Sequence, residues 1–145
     1  MKFFSTLAAL AALTISAQAF TSCGKATDDL QLTSVSYTPN PPRVGQNICV
    51  TLKGTLKKEV TQGAMIRVEG KFWGMPVYDQ TANLCDSLAG GANPCPIPTT
   101  TTELTQCFPI PANVPANMEI NLKVTSTNNG GSALFCIQGP ITFKP

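Results

Sequence analysis

From residue 20 onward no run of ten or more residues repeats apolar side chains at helical spacing; apolar and polar residues alternate instead. Ile66, Val68 and Phe72 stand against Arg67, Glu69 and Lys71, and Met118, Ile120, Leu122 and Val124 against Glu119, Asn121, Lys123 and Thr125. A period of two turns successive side chains to opposite faces, so each run predicts a strand with one face buried and one wet. Ile48, Val50 and Leu52, opposed by Asn47, Cys49 and Thr51, obey the same rule. Around Leu30, Leu32, Val35 and Tyr37 the phase slips by one residue, which predicts a bulge in an edge strand. Leu104, Phe108 and Ile110 predict a further strand, and Phe135, Ile137, Ile141 and Phe143 a last one, interrupted near Pro140. Turn residues punctuate these runs: Pro39-Asn40-Pro41-Pro42 with Gly45, Gly63, Gly74 with Pro76, Gly90-Gly91, Pro111 with Pro115, and Asn128-Asn129-Gly130-Gly131. The last reads as a hairpin joining the final two strands. About seven short strands predict an all-β, immunoglobulin-like sandwich of two antiparallel sheets.

The chain of 145 residues suits one domain, and its composition removes several function classes. Without a histidine it cannot build a Ser-His-Asp or Cys-His nucleophile, or a His-containing zinc site. Ten Lys and Arg against eight Asp and Glu leave no charge excess for a polyanion, so nucleic acid is not an expected partner. Residues 1–19 carry Lys2, an apolar stretch from Phe3 to Ile15 and the small-residue pattern Ala17-Gln18-Ala19, the pattern of a secretory signal peptide cleaved before Phe20. Residues 20–145 then form the mature domain. Gly139 to Pro145 show neither a lipid-anchor tail nor a retention tetrapeptide, so the expectation is a soluble protein, secreted or held in a vacuole or lysosome lumen.

That route is oxidising, and its cysteines are read as paired. Six cysteines allow fifteen pairings, which spacing alone does not decide. A bridge between Cys85 and Cys95 would staple the Gly- and Asn-rich loop between them, a segment with no core of its own. Pairing Cys23 with Cys136 would tie the chain ends, a long loop worth roughly 4–5 kcal/mol of chain entropy. Cys49 and Cys107 lie in the outward phase of their strands and can meet only if those strands are neighbours in one sheet. Two free thiols are the competing state for this last pair.

Catalysis finds little support. Asp28 and Asp29 are adjacent near the start of the mature chain, while Asp79, Asp86, Glu103 and Glu119 are scattered, and nothing brings two of them to an apolar site as paired-acid glycoside hydrolysis needs. The chain is read as no enzyme, without cofactor or metal. Lys53, Lys57, Lys58, Arg67 and Lys71 can be read as contacts for anionic headgroups or, with Glu59 and Glu69 interleaved, as an ordinary solvated face. Trp73 beside Gly74 can mark a membrane-touching rim or be buried under the Cys85–Cys95 loop. Asn47 and Asn83 precede X-Cys, so standard N-glycosylation is not expected.

Cys23-Gly24, Gly74-Met75-Pro76-Val77, Cys85 with Cys95-Pro96-Ile97, Phe108-Pro109-Ile110-Pro111 leading to Val114-Pro115, and Leu134-Phe135-Cys136 before Gly139-Pro140-Ile141 follow one another in an order that resembles the ML lipid-recognition family. The likeness spans essentially the whole mature chain and is similar to two branches, the lumenal Niemann-Pick type C sterol carriers and the fungal phosphatidylglycerol/phosphatidylinositol transfer proteins. It implies sheets splayed around a lipid, an end bridge at Cys23 and Cys136 and a loop bridge at Cys85 and Cys95. An early local bridge of the sterol carriers has no counterpart around Pro39 to Gly45, and Cys49 and Cys107 are extra. Mapped onto this chain, the mouth and interior of the lipid site fall at Val77, Tyr78, Ile110 and Val114, with Ile66, Val68, Phe72, Phe108, Ile120, Leu122, Val124 and Phe135 as candidate walls. The implied function is binding and intermembrane transfer of a sterol or phospholipid by a monomer that touches membrane surfaces transiently. Alternation does not distinguish a hollow sandwich from a filled one, so a secreted immunoglobulin-like module binding a protein or glycan is the rival reading.

Overall fold

The computed structural model describes residues 20–145. The expected signal peptide over residues 1–19 lies outside the described residues. Eight strands and one short helix follow in the order β1 (Thr21–Ser22), β2 (Leu30–Thr38), β3 (Asn47–Leu56), β4 (Met65–Phe72), β5 (Met75–Asn83), α1 (Leu84–Leu88), β6 (Glu103–Pro109), β7 (Glu119–Thr127) and β8 (Ala133–Thr142). They form two antiparallel sheets, a five-stranded one ordered β1-β8-β7-β4-β5 and a three-stranded one ordered β2-β3-β6. The all-β sandwich expected from the alternation is therefore the fold.

Local sequence accounts for most of the pairing. The phase slip in β2 is a register shift between Leu32 and Ser34, on a strand that is an edge of its sheet. Asn128 to Gly131 form the β7–β8 hairpin, closed by bonds from Asn128 N to Ser132 O (2.7 Å) and from Gly131 N to Asn128 O (3.0 Å). Cys49 stands directly opposite Cys107 in the β3–β6 register, and the two are bridged. Cys23–Cys136 and Cys85–Cys95 complete the set, leaving no free cysteine among the described residues.

Three local expectations change. Strand β8 runs through Pro140 without interruption: β1 pairs only with Ile137 and Gln138, so no ladder bond is lost on that side at position 140. The turn expected at Gly74 with Pro76 is a two-residue hairpin at Trp73 and Gly74, both at positive φ (52° and 77°), and Pro76 belongs to β5. An edge strand accommodates that proline because half of its backbone groups face away from the sheet. The Cys85–Cys95 segment is not without a core: α1, capped by Asn83 Oδ1 accepting from Asp86 N (3.2 Å), buries Leu84, Cys85 and Leu88.

Candidate functional site

The two sheets approach closely on one side and diverge on the other. Nothing pairs the edge strand β5 with the edge strand β6, and between the sheets lies a cavity of about 530 Å3. The buried apolar side chains fall accordingly into two clusters, one around Leu56, Val60, Leu88, Ile97 and Leu134, the other around Ile110, Ile120, Ile141 and Phe143. Both clusters supply cavity wall.

One end is sealed. Val60 and Ile97, 0% and 2% exposed, exchange backbone hydrogen bonds of 2.9 and 3.1 Å, which ties the β3–β4 connection to the segment leading into β6. Leu84 and Leu88 of α1 pack beside them as part of the wall. The other end is open, ringed by Val77 and Tyr78 of β5, by Pro109 at the end of β6 and by Pro111, Asn113, Val114 and Pro115 after it. Val77 is 50% exposed. Adjacent residues of a regular strand point to opposite faces, yet both Val77 and Tyr78 line the cavity. The register explains this: Gly70 pairs with Tyr78 and Lys71 with Pro76, so Val77 is an extra, bulged residue whose side chain is re-aimed. Gly70 itself occupies an inward position, where a Cβ would sit 3.2–3.4 Å from Tyr78, Leu122 and Ile120. Glycine there keeps the wall from crowding inward.

Eleven of the twelve residues expected at the site line the cavity: Ile66, Val68, Val77, Tyr78, Phe108, Ile110, Val114, Ile120, Leu122, Val124 and Phe135. Phe72 does not. It ends β4 next to the hairpin and packs edge-on against Trp73, with ring centroids 6.1 Å apart. Of the four residues mapped to the mouth and interior, Ile110 is 6% exposed and belongs to the core behind the opening. The expectation omitted most of the facing wall: Val35 and Tyr37 of β2, Ile48, Val50 and Leu52 of β3, and Leu104 of β6. Their alternation was visible, and a cavity between two sheets needs both inner faces.

No lysine, arginine, aspartate or glutamate is among the described residues that line the cavity. Its polar groups are Tyr37, Tyr78, Gln80, Ser87, Gln106 and Asn113. Gln106 Nε2 donates to Ser87 O at 3.0 Å, which joins β6 to α1 over the inner surface, while its buried Oε1 has no hydrogen-bond partner and lies against Gly91. Burial raises the Tyr37 phenol above its ordinary pKa, so it remains a neutral hydroxyl.

The charged residues lie elsewhere. Arg67 donates from Nε and Nη2 to the two carboxylate oxygens of Asp79 at 3.0 and 2.7 Å and approaches Glu69 at 3.3 Å. The Asp79 hydrogen bond, then the charges of Asp79 and Glu69, hold the guanidinium above its usual pKa, and the same hydrogen bond holds the Asp79 carboxyl below the usual carboxylate range. Arg67 is thus engaged within its own sheet, which favours the solvated-face reading for it. Lys57 Nζ donates to Ala26 O at 2.9 Å. Asp29 accepts from Ser132 Oγ (2.6 Å) and Asn128 Nδ2 (3.2 Å), and buried Asp28 accepts from Lys25 N (3.0 Å). Trp73 is 86% exposed and so is not covered by the Cys85–Cys95 loop. Among the described residues no group of three or more Cys, Asp or Glu side chains is placed to hold a metal ion.

Comparison with known proteins gives these relationships. A family model described as ML domain matches residues 17–143. The phosphatidylglycerol/phosphatidylinositol transfer protein of Aspergillus fumigatus is 30% identical over 116 residues, 79% of this chain and 66% of that protein. Its Candida albicans counterpart is 37% identical over 86 residues, 59% and 45% of the two chains. The chain thus spans about two-thirds of the first relative and less than half of the second. Among solved structures, a Niemann-Pick type C2 protein from Japanese carpenter ant superposes with a TM-score of 0.65 at 18% identity, covering 86% of this chain and 98% of its own. Chicken MD-1 complexed with lipid IVa gives 0.59 at 12% identity, covering 82% and 83%. At these identities the two structures speak for the fold.

Proposed function

Because the chain belongs to the ML-domain family, we propose that it carries a lipid, a sterol or a phospholipid, in the cavity between its sheets and exchanges it with membranes. The observation that carries this reading is the cavity itself: about 530 Å3 of apolar space, sealed at one end and open at the other. Each methylene left in water on leaving a bilayer costs about 0.8 kcal/mol. An apolar slot removes that cost, so pickup and release are both near neutral, as a carrier requires. A filled-core module binding its partner on an outer face has no use for such a space. The function for which the relatives are named, phosphatidylglycerol/phosphatidylinositol transfer, supports the same reading.

Membrane contact belongs at the β4–β5 hairpin. Trp73, Met75 and Val77 expose apolar surface beside the mouth, where an indole would settle at headgroup depth while the opening faces the bilayer. Three disulfides fit delivery through the secretory route to an extracellular or lumenal space, with the chain acting as a monomer.

The test is retention of a fluorescent sterol or a labelled phospholipid on gel filtration, for the wild type and for Val77→Glu. The expected outcome is retention by the wild type and its loss in the variant, with an unchanged near-ultraviolet spectrum because position 77 is half exposed. Retention of neither lipid by the wild type would sink the carrier reading.

A further inference from the structure

One cluster of side chains serves neither the fold nor the cavity. Residues 94–102 read Pro-Cys-Pro-Ile-Pro-Thr-Thr-Thr-Thr, alternating prolines followed by an unbroken run of threonines. Threonine is β-branched and suits a strand, yet β6 begins only at Glu103. The threonines form instead a turn and the short connection after it. Thr101 N donates to Pro98 O at 3.1 Å, and Gly54 N donates to Thr102 O at 3.0 Å. Thr99, Thr100 and Thr102 are exposed, and Thr101 is half-buried. None of them lines the cavity. Among the described residues no side-chain hydrogen bond engages their hydroxyls, whereas those of Thr33, Thr51 and Thr105 are all bonded.

This composition points to one chemistry. Hydroxyl side chains crowded beside prolines, whose fixed φ stiffens the segment, are acceptors of O-linked sugars in the secretory route. From Ser87 to Thr102 the chain carries no charged residue, so the polarity of this end rests on hydroxyls and amides alone. Sugars would hydrate it without adding charge.

The place of the cluster in the fold fits the same role. Ile97, at the sealed floor, lies two positions before Thr99 in the chain, while β6 leads from Glu103 to Pro109 at the mouth. Residues 103 to 109 advance about 3.4 Å at each step, which puts about 20 Å between the two ends. Sugars at the cluster therefore stand away from the mouth and from the β4–β5 hairpin beside it, and both stay free.

We propose that Thr99, Thr100 and Thr102 are acceptors of O-linked sugar, a hexose or an N-acetylhexosamine, added in the secretory route. The inference rests on that route and is independent of the carrier reading. In each transfer the threonine Oγ1 bonds to the anomeric carbon of a sugar activated as a phosphate ester. The bond from that carbon to the phosphate oxygen breaks, and the hydroxyl proton leaves with the departing phosphate. The chain supplies the acceptor alone; the donor and the base belong to the transferase.

The experiment purifies the protein from its native source and reads it by intact mass and by electron-transfer fragmentation, which keeps sugars on their side chains. The expected result is a chain beginning at Phe20 that carries a ladder of sugar masses, all on the peptide that contains Thr99 to Thr102. The step of the ladder distinguishes hexose from N-acetylhexosamine. The ladder should survive an amidase that strips N-linked glycans and disappear on alkaline β-elimination. Thr99→Ala, Thr100→Ala and Thr102→Ala together, expressed in the same cells, should bring the mass to that of the bare polypeptide and leave lipid retention unchanged. A chain cleaved before Phe20 and bare at Thr99 to Thr102, with or without sugar elsewhere, overturns the inference and leaves the secretory route standing. A chain that keeps residues 1–19 overturns both. The wild-type map decides these outcomes even where the variant fails to fold. Loss of retention in a folded variant would overturn the placement of the sugars away from the mouth.

Discussion

The floor and the mouth of the cavity are both largely apolar, under opposite rules. At the floor, Val60, Leu84, Leu88, Ile97 and Leu134 are all but sealed from water, and two connecting segments are hydrogen-bonded to each other across the sandwich. At the mouth, Val77 and Tyr78 face water, β5 has a neighbour on one side only, and the segment from Pro111 to Pro115 is mostly exposed. Apolar side chains at the floor are stabilised by each other. Those at the mouth leave apolar surface uncovered, the state of a binding opening rather than of a packed core. Stability should therefore be concentrated at one end of the molecule and ligand exchange at the other.

Truncation separates the ends most sharply. Ile97→Ala removes a fully enclosed side chain and should lower unfolding free energy by about 2–5 kcal/mol in denaturant titration. Val77→Ala, at a half-exposed position, should cost about 0.5 kcal/mol or less, the usual range for surface changes. If both variants lose equally, the division between floor and mouth is wrong.

The bridge beside the floor gives the next effect. Removing it with Cys85→Ala and Cys95→Ala together frees a loop of 10 residues, worth about 3 kcal/mol in the chain-entropy account. Retention of lipid should fall in step with stability in this variant, whereas Val77→Glu should lose retention alone. A double variant that keeps full stability would mean that Leu84 and Leu88 hold α1 in place without the bridge.

The two ends also differ in how far the sequence revealed them. The walls were legible because alternation is strong wherever one face is buried and the other wet: Ile66 and Val68, Ile120 through Val124, and Ile48 through Leu52 all became strands. The same phase made a Cys49–Cys107 bridge conditional on neighbouring strands and left free thiols open; the β3–β6 pairing meets that condition. The mouth was not legible this way. Strand β5 is exposed along almost its whole length, so Met75 to Asn83 carry no alternation, and Gly74 with Pro76 looked like a turn. The bulge that turns both Val77 and Tyr78 inward depends on pairing with β4, which a single chain's periodicity does not encode. That the sheets stand apart was carried by resemblance to a family, because a hollow core and a filled one are written with the same residues. Phe72 failed for a related reason: its phase was right, but the strand ends there, beyond the cavity.

What keeps β5 in place without a second neighbour is the smallest and last effect. Arg67 on β4 clasps Asp79 on β5 through two hydrogen bonds on the outer face, behind the mouth. Both groups are exposed, so the pair adds little to global stability, but it acts on the strand most able to open. The Asp79 carboxyl is held below its ordinary pKa, so its contribution is present above the unfolded value, about 3.9, and lost as pH falls through the folded value. Arg67, raised from an already high pKa, stays charged throughout. Asp79→Asn should therefore leave the midpoint of global unfolding nearly unchanged at neutral pH while speeding amide exchange along β5 but not along β3 or β6. Wild type and variant should converge as acid protonates Asp79, and at high salt as screening weakens the pair. Equal protection of β5 in both proteins at neutral pH would show that the ladder to β4 holds this edge by itself, and that the mouth needs no clasp.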